Sequence, residues 1–191
     1  MAKVIGIFGG SFNPVHNGHI MLAQYLAQYS HLDEVWLTLS PQNPLKITNS
    51  LLDDSHRLAM LKLAIEKVPL LKACEIELEL PRPSYTINTL DELSRRYPNY
   101  KFNIVIGGDN WILIDRWKDY QRIINEYGVV IYPRPGYKLS VTNKPNVVVV
   151  EAPLADISST QIRTAIANHE ETGHLLPKGV AEYINKHNLY K

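Results

Sequence analysis

The chain has 191 residues, 45% of them hydrophobic and 20% charged, with a net charge of +1. These proportions exclude a disordered chain and allow a substantial core, and the near-neutral balance offers no broad basic face for nucleic acid. A single cysteine, Cys74, excludes an internal disulfide and suits a reducing, cytoplasmic setting, and no apolar run is long enough to span a bilayer.

The N-terminus enters a predicted strand at once, over residues 3–8, which leaves no room for a secretory leader. Its short apolar run is that of a strand buried on both faces. A Gly9-Gly10 turn follows; without Cβ atoms its amides can come close to a ligand. Ser11, Phe12, Asn13 and Pro14 lead to a helix over 18–29, whose free N–H groups attract anions. Leu22, Ala23, Leu26 and Tyr29 form its apolar stripe, with His19 at the head of that stripe and His16 one turn earlier. Two imidazoles at a helix mouth can donate to phosphate oxygens. The alternative of a zinc pair lacks a cysteine or acidic residue in the loop to complete it.

A second strand over 34–39 is followed by a proline-bracketed loop in which Lys46 can neutralise a phosphate or simply face solvent. A helix over 54–67 and a strand over 71–76 come next; Cys74 reads as packing. Ser84, Tyr85 and Thr86 open a helix over 87–97, and their amides can hold a carboxylate or merely cap the helix. After a strand over 102–106, Gly107 and Gly108 precede Asp109, which can accept from a ribose hydroxyl or cap a helix starting at Asn110. Trp117 stands in a polar stretch where it can stack on a flat heterocycle or anchor a helix. Trp36 and Trp111 read as core.

A helix over 120–126 and a strand over 129–132 lead into a long proline-rich loop over 132–145 that carries Arg134. A last strand spans 147–150. Ser158, Ser159 and Thr160 then open a helix over 159–168, with Arg163 placed to reach an anion at its N-terminus. Residues 179–187 form a final helix. The alternation predicts one domain over 1–191. Its fold class is α/β, a Rossmann-like doubly wound parallel sheet with helices on both faces and a ligand crevice where strand order reverses. Neither a Walker pattern nor G-x-G-x-x-G is present.

His16-Asn17-Gly18-His19, within the longer run from the first strand through GGSFNPVHNGH, resembles the H-x-G-H nucleotidyltransferase superfamily. The segment from Ile157 to Arg163 is similar to its second phosphate-binding segment. Further pieces in matching order resemble the bacterial nicotinate-mononucleotide adenylyltransferases: Pro41 to Lys46, Ser84 to Leu90, Ile106 to Asn110, Trp117, Arg134-Pro135-Gly136 and Leu176-Pro177. The chain departs from the family's commoner residues at Ser11 and Asn13, often Thr and Asp, and in the 41–46 loop, which often carries a histidine.

The resemblance implies transfer of the adenylyl group of ATP to nicotinate mononucleotide, with Mg²⁺ accompanying the ATP. His16, His19, Lys46 and Arg163 would be catalytic. Gly9, Gly10, Ser11, Phe12, Gly18, Gly107, Asp109, Ser158, Ser159 and Thr160 would hold ATP. Ser84, Tyr85, Thr86, Trp117 and Arg134 would hold the mononucleotide. No nucleic-acid or membrane partner is implied, and self-association, a homo-oligomer included, is left open. Rival readings are an enzyme preferring the amide mononucleotide, a pantetheine-phosphate adenylyltransferase, a cytidylyltransferase, or a nucleotide sensor without catalysis.

Overall fold

A computed structural model describes residues 2–41, 51–137, 145–153 and 155–191. Six parallel strands form one sheet: β1 (Lys3–Gly10), β2 (Glu34–Leu39), β3 (Leu71–Cys74), β4 (Tyr100–Gly107), β5 (Val129–Tyr132) and β6 (Val147–Val149), in the spatial order β3-β2-β1-β4-β5-β6. The order reverses between β1 and β4, so a crevice opens beyond their carboxyl ends. The predicted doubly wound sheet is the one observed.

The two-residue period of the strands sorts the core into two layers. Phe8, Val35, Leu37, Leu39, Val105, Val130 and Tyr132 face one side. There they meet α1 (Asn17–Tyr29), α2 (Asp54–Ile65), α7 (Ser159–Ala167) and α8 (Lys178–Lys186). Ile5, Ile7, Trp36, Phe102, Ile104, Ile106, Val129 and Ile131 face the other. That side is covered by α4 (Thr86–Arg96) and by the chain from Trp111 to Ile124. Trp36 and Trp111 are buried as expected. Cys74 is buried and free, and burial pushes its thiol up.

Several boundaries differ from the expected ones. Gly9 and Gly10 do not turn: they continue β1, paired with Thr38 and Leu39. The ladder to β2 outweighs the glycines' local freedom, and the chain reverses only afterwards, at Phe12, whose φ is +44°. Tyr29, expected on the buried stripe of α1, is 69% exposed; Ile20 and Ala27 take its place. The strand expected over 71–76 stops at Cys74, and a single turn, α3 (Ile76–Glu79), follows it. The helix considered from Asn110 is the single turn α5 (Gly108–Trp111), which starts before Asp109 so that Gly107 holds the cap position, and a 3₁₀ turn at Ile114–Arg116 lies outside the predicted elements. The helix expected over 120–126 is α6 (Tyr120–Arg122) running into a π-turn at Ile123–Tyr127.

Candidate active site

The loop between β1 and α1 is set by packing against its own first residues. Phe12 is buried, and its ring lies where a side chain on Gly10 would stand; a Cβ there would come within 2.8 Å of the ring. Gly9, by contrast, faces open space, with nothing within 4 Å of its absent Cβ. The ring of Phe12 meets His19 edge-on at 5.1 Å, and Phe8 approaches the same imidazole at 6.2 Å.

His16 occupies the N-cap position of α1, with Gly18 and His19 in the first turn. The two imidazoles stack with centroids 3.6 Å apart, and the His16 amide donates to His19 Nδ1 at 3.3 Å. Because Nδ1 accepts, the proton of the neutral His19 ring resides on Nε2. Burial lowers the pKa of His16 to about 4, helped by the nearby Arg134 charge. His19 is driven well below the ordinary histidine value by burial, then by His16 and Arg134. Near pH 7 both rings are therefore neutral, and His19 is a directional hydrogen-bond donor rather than a cation.

The segment from Ile157 to Arg163, expected to bind phosphate, is clipped onto this loop. Ser158 caps α7: its Oγ accepts from the Gln161 amide, while Gln161 Oε1 accepts from the Ser158 amide. Ser159 donates through Oγ to the carbonyl of Pro14 at 2.9 Å, and Arg163 donates through Nη1 to the carbonyl of Asn13 at 2.8 Å. Arg163 also donates to Thr160 Oγ1. Two segments some 145 positions apart in the chain thus share one helix-mouth cleft with the histidine pair.

Gly107 ends β4 at the crevice, and its bareness admits two side chains: a Cβ there would meet Asp109 Oδ1 at 2.4 Å and Arg134 Nε at 3.1 Å. Asp109 Oδ1 is buried without a hydrogen-bond partner among the described residues, 3.7 Å from Arg134 Nε. Arg134 donates to the Tyr132 hydroxyl at 3.3 Å and lies over its ring. Arg134, which the resemblance assigns to the mononucleotide, stands beside Asp109 and within electrostatic reach of the histidines. The reason is the end of β5, which carries Tyr132 on the same sheet face as Phe8.

On the opposite face, α4 begins at Tyr85 with no side-chain cap, which leaves its first amides available. Lys118 Nζ lies over the Tyr85 ring at 5.0 Å. Ser84 is buried and its hydroxyl is turned inward, donating to Glu77 at 3.0 Å, so what it presents outward is backbone. Trp117 is half-buried against the core, and its Nε1 is buried without a partner among the described residues. Lys46 lies outside the described residues. No three His, Cys, Asp or Glu gather into a cluster that could hold a metal among the described residues.

A family model described as cytidylyltransferase-like matches residues 7–165. A probable nicotinate-nucleotide adenylyltransferase of Bacteroides thetaiotaomicron is 46% identical over 95% of this chain and 91% of its own length. One of Flavobacterium johnsoniae is 39% identical over 98% of both chains. The chain belongs to the nicotinate-nucleotide adenylyltransferase family. The fold agrees with that of a Plasmodium falciparum nicotinic acid mononucleotide adenylyltransferase complexed with NaAD, at a TM-score of 0.81 and 22% identity over 98% of this chain and 97% of that one.

Within this family member, three side chains support the site without standing in any of the sequence motifs. Arg57 in α2 is fully buried and donates to the carbonyls of Ser11 (2.6 Å), Ser40 (2.9 Å) and Leu52 (3.0 Å), and to the Asp54 carboxylate. Tyr190 donates to Asn13 Oδ1 at 2.8 Å. Glu77 is a buried carboxylate that collects hydroxyl donors. Arg57 had a readable signal: it shares a helical stripe with Met60, Leu61 and Ala64, where an arginine is out of place unless it is fully bonded.

Proposed function

We propose that the chain, as a single nucleotidyltransferase unit, transfers the adenylyl group of ATP to nicotinate mononucleotide, giving nicotinate adenine dinucleotide and pyrophosphate. The observation that carries the site assignment is the pair of contacts from Ser159 and Arg163 to the carbonyls of Pro14 and Asn13, which join both phosphate-binding segments. An oxygen of the mononucleotide phosphate attacks the α-phosphorus of ATP. The bond from that phosphorus to the β-bridging oxygen breaks, and pyrophosphate leaves with the electron pair. The nucleophile is already an anion, so no strong base is needed and no covalent enzyme intermediate forms.

What the chain supplies is position and charge. His19 Nε2–H donates to a phosphoryl oxygen. The first-turn amides of α1 and α7, Thr160 and Arg163 hold the triphosphate, with Gly9 giving room for it. Asp109, whose Oδ1 has no hydrogen-bond partner among the described residues, takes a ribose hydroxyl or the adenine amine. Arg134 adds positive charge beside the histidines and joins the phosphate-holding group. At the other end the amides at Thr86 and Ile87 receive the nicotinate carboxylate, and Trp117 stacks on the pyridine ring. Mg²⁺ would enter as a companion of the triphosphate. Its chemistry there is to neutralise charge. A cytoplasmic setting suits the single buried thiol.

The test is pyrophosphate release from ATP with a panel of phosphate acceptors, and identification of the dinucleotide formed. Nicotinate mononucleotide should give the highest kcat/KM, above its amide. Release with the amide alone would overturn the assignment of the carboxylate end.

A further inference from the structure

Ser40, just past β2, is a junction. Its amide donates to the Gly10 carbonyl at 2.9 Å, its carbonyl accepts from Arg57, and its hydroxyl donates to Glu77. Glu77 stands on the single turn α3 and is buried. One of its oxygens accepts from Ser84 Oγ at 3.0 Å and the other from Thr89 Oγ1 at 3.1 Å. Three separate pieces of chain, the end of β2, the approach to α4 and α4 itself, are thus pinned to one carboxylate. A continuous path of bonds runs from the strand end at Gly10 to the first turn of α4.

A buried carboxylate is costly, and an apolar residue of similar size serves a core at least as well. What apolar packing lacks is direction. Three hydroxyl bonds fix both the distance and the angle between the carboxyl end of β1, where the triphosphate approaches, and the helix mouth at Tyr85. We infer that Glu77 is a positioning residue for the acceptor substrate, setting where the mononucleotide's ring end lies relative to the phosphorus it attacks. The inference rests on the assignment of residues 84–86 to the mononucleotide.

The experiment is steady-state kinetics of Glu77→Ala, Glu77→Gln and Thr89→Val, each substrate varied in turn, with thermal denaturation of every variant. Glu77→Ala should raise KM for nicotinate mononucleotide by about tenfold while KM for ATP stays within about twofold. Glu77→Gln should recover most of that loss, because its carbonyl still accepts and its amide can donate to a hydroxyl that rotates. Thr89→Val, losing one donor, should give a smaller rise in the same constant, and it carries the test with Glu77→Gln if the alanine variant does not fold. A parallel rise in both KM values, or an unchanged mononucleotide KM in folded variants, overturns the inference. Wild-type protein that fails to use nicotinate mononucleotide overturns the functional reading instead.

Discussion

The two ends of the crevice are held in different ways. At the proposed triphosphate end, segments from opposite ends of the chain touch directly: Ser159 and Arg163 donate to carbonyls of the loop that carries His16, and Tyr190 closes on Asn13. At the proposed mononucleotide end the support is indirect, through hydroxyls gathered on Glu77, while Trp117 keeps an Nε1 without a partner among the described residues. The first end is held by side chains that grip the histidine loop itself; the second is held one step removed, by side chains that grip a single buried carboxylate beneath it. Damage at the first should appear in the chemical step, and damage at the second in the affinity for the acceptor.

The largest expected effect is that of His19→Ala. If its Nε2–H stabilises the transferring phosphoryl group, kcat should fall by about a hundredfold or more, as for removal of a well-aimed donor, with the fold intact. Near-normal turnover by a folded variant would break the contrast at its stronger end. Next comes Arg57→Ala, which strips hydrogen bonds from three carbonyls. At about 1 kcal/mol or more for each of the three carbonyls left unsatisfied, it should lower unfolding free energy by about 3 kcal/mol or more. Denaturant titration measures this, and a change under about 0.5 kcal/mol, the level of an ordinary surface substitution, would show that the clamp is idle.

Acid sharpens the same comparison. His16 has a folded pKa of about 4, below the ordinary 6.5, so between those values the unfolded chain binds more protons than the native one. This contribution to stability is fully present above about pH 6.5 and is lost as pH falls toward 4, at up to about 1.4 kcal/mol per pH unit. His19, lowered in the same direction, steepens the fall. His16→Gln should flatten that limb of a stability-against-pH curve; an unaltered slope would mean that His16 is charged in the native protein. Trp117→Ala should have the smallest effect. Loss of one stacking contact, about 0.5–1.5 kcal/mol, should raise KM for nicotinate mononucleotide severalfold and leave that for ATP alone.

Most of this architecture can be read from the chain, because strands such as 4–8 and 129–132 are continuous apolar runs between turn signals. The triphosphate end is legible for a similar reason: its residues are contiguous in two short motifs. The mononucleotide end is less so. Ser84 reads as a ligand group through its amide; that its hydroxyl belongs to Glu77 is hidden, because the pairing exists only once α3, which has no separate signature in the sequence, folds beneath α4. The position of Arg134 is hidden because a residue in a long loop carries no periodicity to say which strand end it faces. The Gly-Gly pair misleads as well, since local preference for a turn yields to ladder bonds with β2 that no local window contains.

The clamp made by Arg57 grips main-chain oxygens at positions 11 and 52, and every amino acid has one. Mutational drift at those two sites therefore leaves the guanidinium's hold intact, whatever side chain appears. The side chain at those positions can change while the backbone path beneath it stays held, and Ser11 is one of the two.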